Sequence, residues 1–431
     1  MLVIALPMSL EGVHAAFITS GMPYGESQPF NGGSSPSAYY YSGRTYVTWQ
    51  GSDLDPFVAY YDSATGNWTG PVRVGDNPLI LDDHGPPAIL VDNSGYIHVM
   101  YGSHTTAIKH AKSANPEDIS TWTAMPDPVD GVLGGTYPQL FKDSSGKIYL
   151  IYRGSHVPGH NNGLAELIIK STDGGVTWGT PQTIIDVYTT VAADIVYLLG
   201  GGAEYESATN RVHLAWVLYN ATAAKRENLY YAYLNLNDDS MYSIDGTNLS
   251  TTITQTEADA DCKVVDSGTA WTNMARVRVD GKGNPYIIYI TSSGGWRYNF
   301  TRWTGSAWSA PVMITTTDDS TQGNEFFIDS STNITAYLVG SGNAGRGGDI
   351  EQWSWNGSTW NQTSTILKQT DVAYGLDFPM EVVNGVDLRI VFCEVNVGAS
   401  EYIVSNLRIF AYDGRQLIPY EESQLIVKRR S

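Results

Sequence analysis

Helical periodicity and long apolar runs are both missing from this sequence. No stretch places apolar residues three and four apart over several turns, which excludes a helical bundle as the organising fold. The opening MLVIALPMSL is too short to span a bilayer and lacks a basic leader. It reads as the remnant of a signal peptide ending near Ala15, or as a first strand. Cysteine is almost absent: Cys262 and Cys393 stand in no CxxC or histidine-rich context, which excludes a disulfide framework and points, whether they are paired or free, to a structural rather than a catalytic role. Charge is scarce at 16% of residues, and its balance is acidic, with 25 Lys and Arg against 44 Asp and Glu. A formal net charge of −19 argues against a nucleic-acid partner, whose phosphates need a basic footprint. An anionic polysaccharide would be repelled globally and must meet a local basic site. The VKRR run at Val427–Arg430 reads as a solvated tail.

What is abundant is tyrosine, tryptophan, glycine and short β-rich segments bounded by Gly, Asp, Asn and Ser. Aromatic faces and neutral polar groups suit hydroxyl-rich ligands. Sequons at Asn67, Asn220, Asn248, Asn299, Asn333, Asn356 and Asn361 add a weak indication of a secreted protein. A chain of 431 residues would ordinarily divide into two or three domains, but a closed all-β architecture is the exception.

Such an architecture is what the internal repeat predicts. Seven apolar segments recur at 45–49, 96–101, 147–152, 211–216, 285–290, 334–339 and 388–393, spaced by roughly 50 to 75 residues. Each is followed by a more polar strand, and several units close on a turn carrying a Trp, as in GNWTG at Gly66 and GSTW at Gly357. The expectation is a single domain over 1–431: a seven-bladed β-propeller of four-stranded antiparallel blades, with segment 1–36 closing the last blade. Ser171–Trp178 has the form Ser-x-Asp-x-Gly-x-Thr-Trp, similar to the Asp box of sialidase-like propellers, and marks a blade turn rather than chemistry. The insertion at 237–266 includes EADADCKVVD; its carboxylates do not fit an EF-hand loop, so a solvated loop is expected.

Two consecutive repeats carry the chemistry. DDHGPPAILVDNSGYIHVMYGSH and GGTYPQLFKDSSGKIYLIYRGSH each hold a strand, an Asp–Gly turn and a second strand. His84 and Tyr137 precede the first strand of their units, while His104 and Arg153 follow the second. In an antiparallel meander these positions share one end, so two imidazoles, a phenol and a guanidinium should gather on one rim. Elimination from a uronate needs a base for the C5 proton, a cation for the carboxylate and an acid for the leaving oxygen, and these four supply that set without a metal. Each alone is an ordinary loop residue; the four together at equivalent ends favour function. Arg226, Arg297 and Arg346 occupy loops on the same rim and are candidate binders of carboxylate or sulfate, with surface ion pairs as the alternative. His98 and His213 lie inside strands and read as packed, hydrogen-bonded histidines. His110 is expected to be exposed, and His156 and His160 to belong to a loop that lines the rim, holds a metal or does neither.

The run from Asp82 to Arg153 resembles the BNR-4-type seven-bladed propellers, which include ulvan lyases and related enzymes of rhamnose–glucuronate polysaccharides. In the lyases it resembles, two histidines about twenty residues apart and a Tyr and Arg about sixteen apart form the catalytic group; here these are His84, His104, Tyr137 and Arg153. An aromatic from the fourth blade joins some of these sites, and Tyr197 and Tyr205 both qualify. The His and Cys cluster of a structural zinc seen in some members has no counterpart here. The resulting expectation is a secreted, monomeric polysaccharide lyase with an anionic polysaccharide or oligosaccharide as partner, no nucleic acid and no membrane span. No cofactor is required for that chemistry, though a structural or substrate-bridging Ca or Zn remains open. The alternatives are a glycoside hydrolase, which would need a carboxylate pair near Asp82 and Asp83, and a glycan-binding propeller without turnover. A sialidase is disfavoured, since no arginine triad with a Tyr–Glu pair is visible.

Overall fold

The computed structural model describes residues 22–26, 28–79, 82, 84–132, 134–155, 164–187, 194–341, 346–370, 373–396 and 405–420. Among these the protein is nearly all-β and propeller-like. Six hydrogen-bonded sheets follow one another along the chain. Five have four or six strands; the sixth has nine and joins two antiparallel runs through one parallel pairing, Ala38–Tyr41 beside Tyr374–Val383. Met22–Glu26 pairs antiparallel with Ser405–Tyr412, so the first described strand lies on the last antiparallel run.

The apolar repeat segments are continuous rather than alternating because both faces are buried. In the strand Ile148–Gly154, Ile148, Leu150 and Tyr152 pack with Ile89 and Val99 of the preceding sheet. Tyr149 and Ile151 point the other way, into a cluster with Val212 and Leu214 of the following sheet. Successive side chains of a strand face opposite sides, so one strand serves two neighbouring cores.

The Asp–Gly turns repeat one local device. The Asp92 carboxylate accepts from the backbone N–H of Ser94 and Tyr96, Asp143 from Ser145 and Lys147, and Asp280 from Lys282 and Asn284. Each holds the turn between the first two strands of its unit. Asp173 of the Asp box likewise accepts from the Val176 and Thr177 N–H groups.

Two expectations are corrected. Part of the insertion is not a solvated loop: Gln255–Glu257 form a helical turn capped reciprocally by Thr254 and Glu257, running on into a wider turn at Ala258–Cys262. Ala258 and Cys262 are buried there, and Asp259 pairs with Lys263 while accepting from the Tyr230 hydroxyl. His110 is buried rather than exposed, because its strand is covered on both sides; its Nε2 lies 3.0 Å from His98 Nδ1, and His98 reaches Asp92. His213, as expected, is packed and hydrogen-bonded, to Tyr231 and Glu206. Both cysteines are buried free thiols.

Candidate active site

The strand geometry brings the first four residues together. Asp82 stands between the two histidines: one carboxylate oxygen lies 2.6 Å from His84 Nδ1 and the other 2.6 Å from His104 Nδ1. The rings stack at 3.7 Å with 12° between their planes. Burial alone would raise the Asp82 carboxyl, but the hydrogen bonds from His104 and from the backbone and ring of His84 outweigh it and hold it below the usual range. An ionised carboxylate only accepts, so both Nδ1 atoms carry hydrogen, and in a neutral ring so held Nε2 is the acceptor. Burial lowers the His104 pKa; the Asp82 hydrogen bond opposes this, while His84 and Arg153 add to it, and the net shift is downward.

From the histidines a row of rings and cations continues. The Tyr137 ring lies 5.9 Å from His84. The Arg153 guanidinium is sandwiched 4.6 Å from Tyr137 and 4.7 Å from Tyr197, and Arg226 caps the row 4.0 Å from Tyr197. Burial would raise the Tyr197 phenol, yet Arg153 and Arg226 outweigh it and pull its pKa below the ordinary value.

Tyr137 reaches the cleft through a bulge. It has φ of 61°, and the pairing of Gly135–Lys142 with Ile148–Gly154 slips between Thr136 and Gln139. A bulge bends the strand and re-aims one side chain. The same device recurs at Met274 (φ 51°) and Phe378 (φ 51°), each at a slip in the first strand of its unit. All three side chains border one cavity of about 400 Å³.

His84 and Arg226 border that cavity, and Arg346 closes its other side, donating to Gln28 and lying over the Phe378 ring. Arg153, only 4% exposed, does not border it and lies one ring further in. Of the two aromatics proposed for the fourth repeat, Tyr197 belongs to the row. Tyr205 does not: it stacks on Phe141 at 5.3 Å and accepts from Ser144 N–H by the Asp143 turn, at the opposite end of the strands. Arg297 is also displaced from the site; it folds back on its own turn and donates to the Gly294 and Gly295 carbonyls. His156, His160 and Asp83 lie outside the described residues.

Asn31, Gln28, Met274 and Phe378 went unnoticed in the sequence. A signal existed for Phe378: Phe378–Pro379 occupies in its unit the place that Tyr137–Pro138 occupies in the third.

Among the described residues, Asp82, His84 and His104 form a group whose ligand atoms lie within 4.8 Å of one another. Their 2.6 Å N to O contacts are those of hydrogen bonds. Tetrahedral zinc, with bonds of about 2.0 Å, would spread its ligand atoms to about 3.3 Å. The arrangement fits a proton-holding triad better than a zinc site.

These features define an all-β, propeller-like protein with a histidine, tyrosine and arginine cleft at one mouth. The BNR repeat-containing family matches residues 44–313, and the chain belongs to that family. It is similar to an ulvan lyase of Nonlabens ulvanivorans, 29% identical over 379 residues that cover 78% of this chain and 77% of the relative. An ulvan lyase of Alteromonas sp. (strain LOR) is 26% identical over 394 residues, covering 80% and 78%. Among solved structures, a PL25 ulvan lyase bound to -[GlcA(1-4)Rha3S]- superposes with a TM-score of 0.80 at 21% identity, covering 94% of this chain and 97% of that one.

Proposed function

We propose that this protein is a polysaccharide lyase that cleaves a glucuronate and rhamnose polymer of the ulvan type by β-elimination. The observation that carries the reading is the continuous row from His104 through His84, Tyr137, Arg153 and Tyr197 to Arg226 beside a single cleft. The relatives are named as ulvan lyases, and the ligand of the solved neighbour contains glucuronate next to sulfated rhamnose.

In this reading the uronate carboxylate faces the arginine pole, Arg226 at the cleft wall and Arg153 behind it, which makes the C5 proton acidic. The neutral Nε2 of His84 takes that proton, with His104 and Asp82 fixing its ring. The Tyr137 hydroxyl, on the same wall, protonates the departing oxygen as the double bond forms. Arg346 and Gln28 hold the chain across the cleft. A hydrolase is less well supported: both oxygens of Asp82 are already occupied by imidazoles, leaving it unsuited to act as acid or base.

The finer architecture we propose is seven four-stranded blades, the nine-stranded sheet being two blades joined edge to edge. A polymeric substrate favours an enzyme that works outside the cell, and the proton transfers as drawn need no metal. The test is the absorbance at about 235 nm of unsaturated uronate released from ulvan, with losses of about 10²- to 10⁴-fold in His84→Ala and Tyr137→Phe. Reducing sugar without that absorbance makes the protein a hydrolase; binding without either makes it a lectin.

A further inference from the structure

Behind the arginine pole lies an acid with no part in this scheme. Glu166 sits directly opposite Arg153 across the strands Ile148–Gly154 and Ala165–Ser171. It is 2% exposed, yet no ion pair joins the two, and Arg153 Nε and Nη1 are buried without hydrogen-bond partners. Among the described residues the groups around Glu166 are few. On one neighbouring strand Ile185 is its apolar partner; on the other Arg153 is the facing charge; and the Leu198 N–H donates to its carboxyl. Tyr197 and Arg226 lie beyond the guanidinium. A carboxyl kept for stability would be expected to close on the buried arginine beside it, because an uncompensated buried charge is costly.

We propose that Glu166 is a positioning residue that sets the strength of the arginine pole. It carries a proton while a uronate occupies the cleft, and gives it up from the empty cleft at alkaline pH. The inference rests on the uronate reading above. Among the described residues, Arg153 is the cation that favours the Glu166 anion when the cleft is empty. A bound uronate takes over that countercharge and adds a like charge nearby, so the proton affinity of Glu166 rises: Glu166 carboxylate, a solvent proton and the uronate anion combine to give neutral Glu166 beside the bound anion. Substrate binding and proton uptake are then linked. Burial, opposed by Arg153 and the Leu198 N–H, places the Glu166 carboxyl at about 8, within the range where this linkage is measurable.

The experiment follows KM and kcat for ulvan from pH 6 to pH 10, at about 235 nm, in the wild type and Glu166→Gln. In the wild type KM should stay level below about pH 8 and rise above it by up to tenfold per unit, while in Glu166→Gln it loses that rise. A second measurement needs no substitution at Glu166. Calorimetric titration of the Tyr137→Phe protein with ulvan at about pH 8, in two buffers of different ionisation enthalpy, should report uptake of about half a proton or more per site. Level KM in the wild type, the same rise in Glu166→Gln, or binding without proton uptake overturns the role of Glu166 and leaves the lyase standing. Absence of unsaturated product from the wild type at every pH overturns both.

Discussion

Asp82 does more for the site than its place in a loop suggests. By accepting from both Nδ1 atoms it fixes two tautomers at once and holds the rings face to face. Asp82→Asn would present one carbonyl and one NH₂, so one of the two Nδ1–H groups loses its acceptor and that ring is free to turn or change tautomer. We expect kcat to fall by about 10²-fold or more. The pH profile gives the sharper check. His104 is already held below its ordinary range, so a limb due to its deprotonation should have its midpoint below about pH 6.5. Asp82 is the group that raises the His104 pKa; removing its charge should move the limb to still lower pH. A limb that stays in place or moves up would show that His104 does not govern it. The four residues at the centre of the site were legible because strand polarity alone assigns them to one rim. The same reasoning failed for Arg297: a loop position fixes the rim but not the direction of a long side chain, and Arg297 found backbone carbonyls nearer than the cleft. Tyr205 was offered by the resemblance alone, and its strand Ala203–Glu206 carries it to the other end of the sheet.

At the scale of single strands, the bulge at Tyr137 is the device that turns architecture into a site. A non-glycine residue with φ of 61° before a proline is held against its own preference, so its surroundings must over-determine it. Gly33 is part of that support. A Cβ there would fall 2.2 Å from Tyr137 Cδ1 and 2.4 Å from Cγ, too close for the ring to remain where it is. Asn31 anchors this turn by accepting from the Gly33 and Ser34 N–H groups. Gly33→Ala is expected to push the phenol off the cleft wall and lower kcat by about 10²-fold, the cost of roughly 1 Å of misplacement. Because the contact lies at the rim, circular dichroism and the unfolding midpoint should stay close to wild type; a collapse of both would mean that Gly33 serves folding instead. The bulges were not legible in the sequence, since repeat matching registers strand content and not a one-residue slip. The buried His110 escaped for a related reason: the nearby Lys109 and Lys112 suggested solvent, yet the rings of His98 and Trp178 pack against it.

Across the whole molecule, what holds successive sheets at the opposite mouth is a buried ion cluster. Arg276 and Arg278 project from Thr272–Val279, Glu204 from Ala203–Glu206, Glu325 from Asn324–Ser330 and Glu381 from Tyr374–Val383, so four consecutive sheets meet there. Glu325 is the hub: one oxygen lies 3.0 Å from Arg276 Nη1 and the other 2.8 Å from Arg278 Nη2, which also reaches Glu381 at 2.7 Å. Glu325 is 0% exposed and Arg276 is 4% exposed. Burial pulls the Arg276 pKa down; Glu325 is the largest influence opposing it, with smaller help from Glu381 and Glu204, so the charge on Arg276 depends chiefly on Glu325. In Glu325→Ala, Arg278 keeps Glu204 and Glu381, but among the described residues the direct partners left to Arg276 are the Asn324 carbonyl and the Met380 sulfur. Removing one partner of a buried pair costs about 3–5 kcal/mol, and two arginines share this loss. The denaturant midpoint of Glu325→Ala should fall accordingly. Replacing Arg276 by Met as well should recover part of the loss, because the stranded charge is then gone. A double variant no more stable than Glu325→Ala would mean that the carboxylate acts through packing rather than by neutralising Arg276.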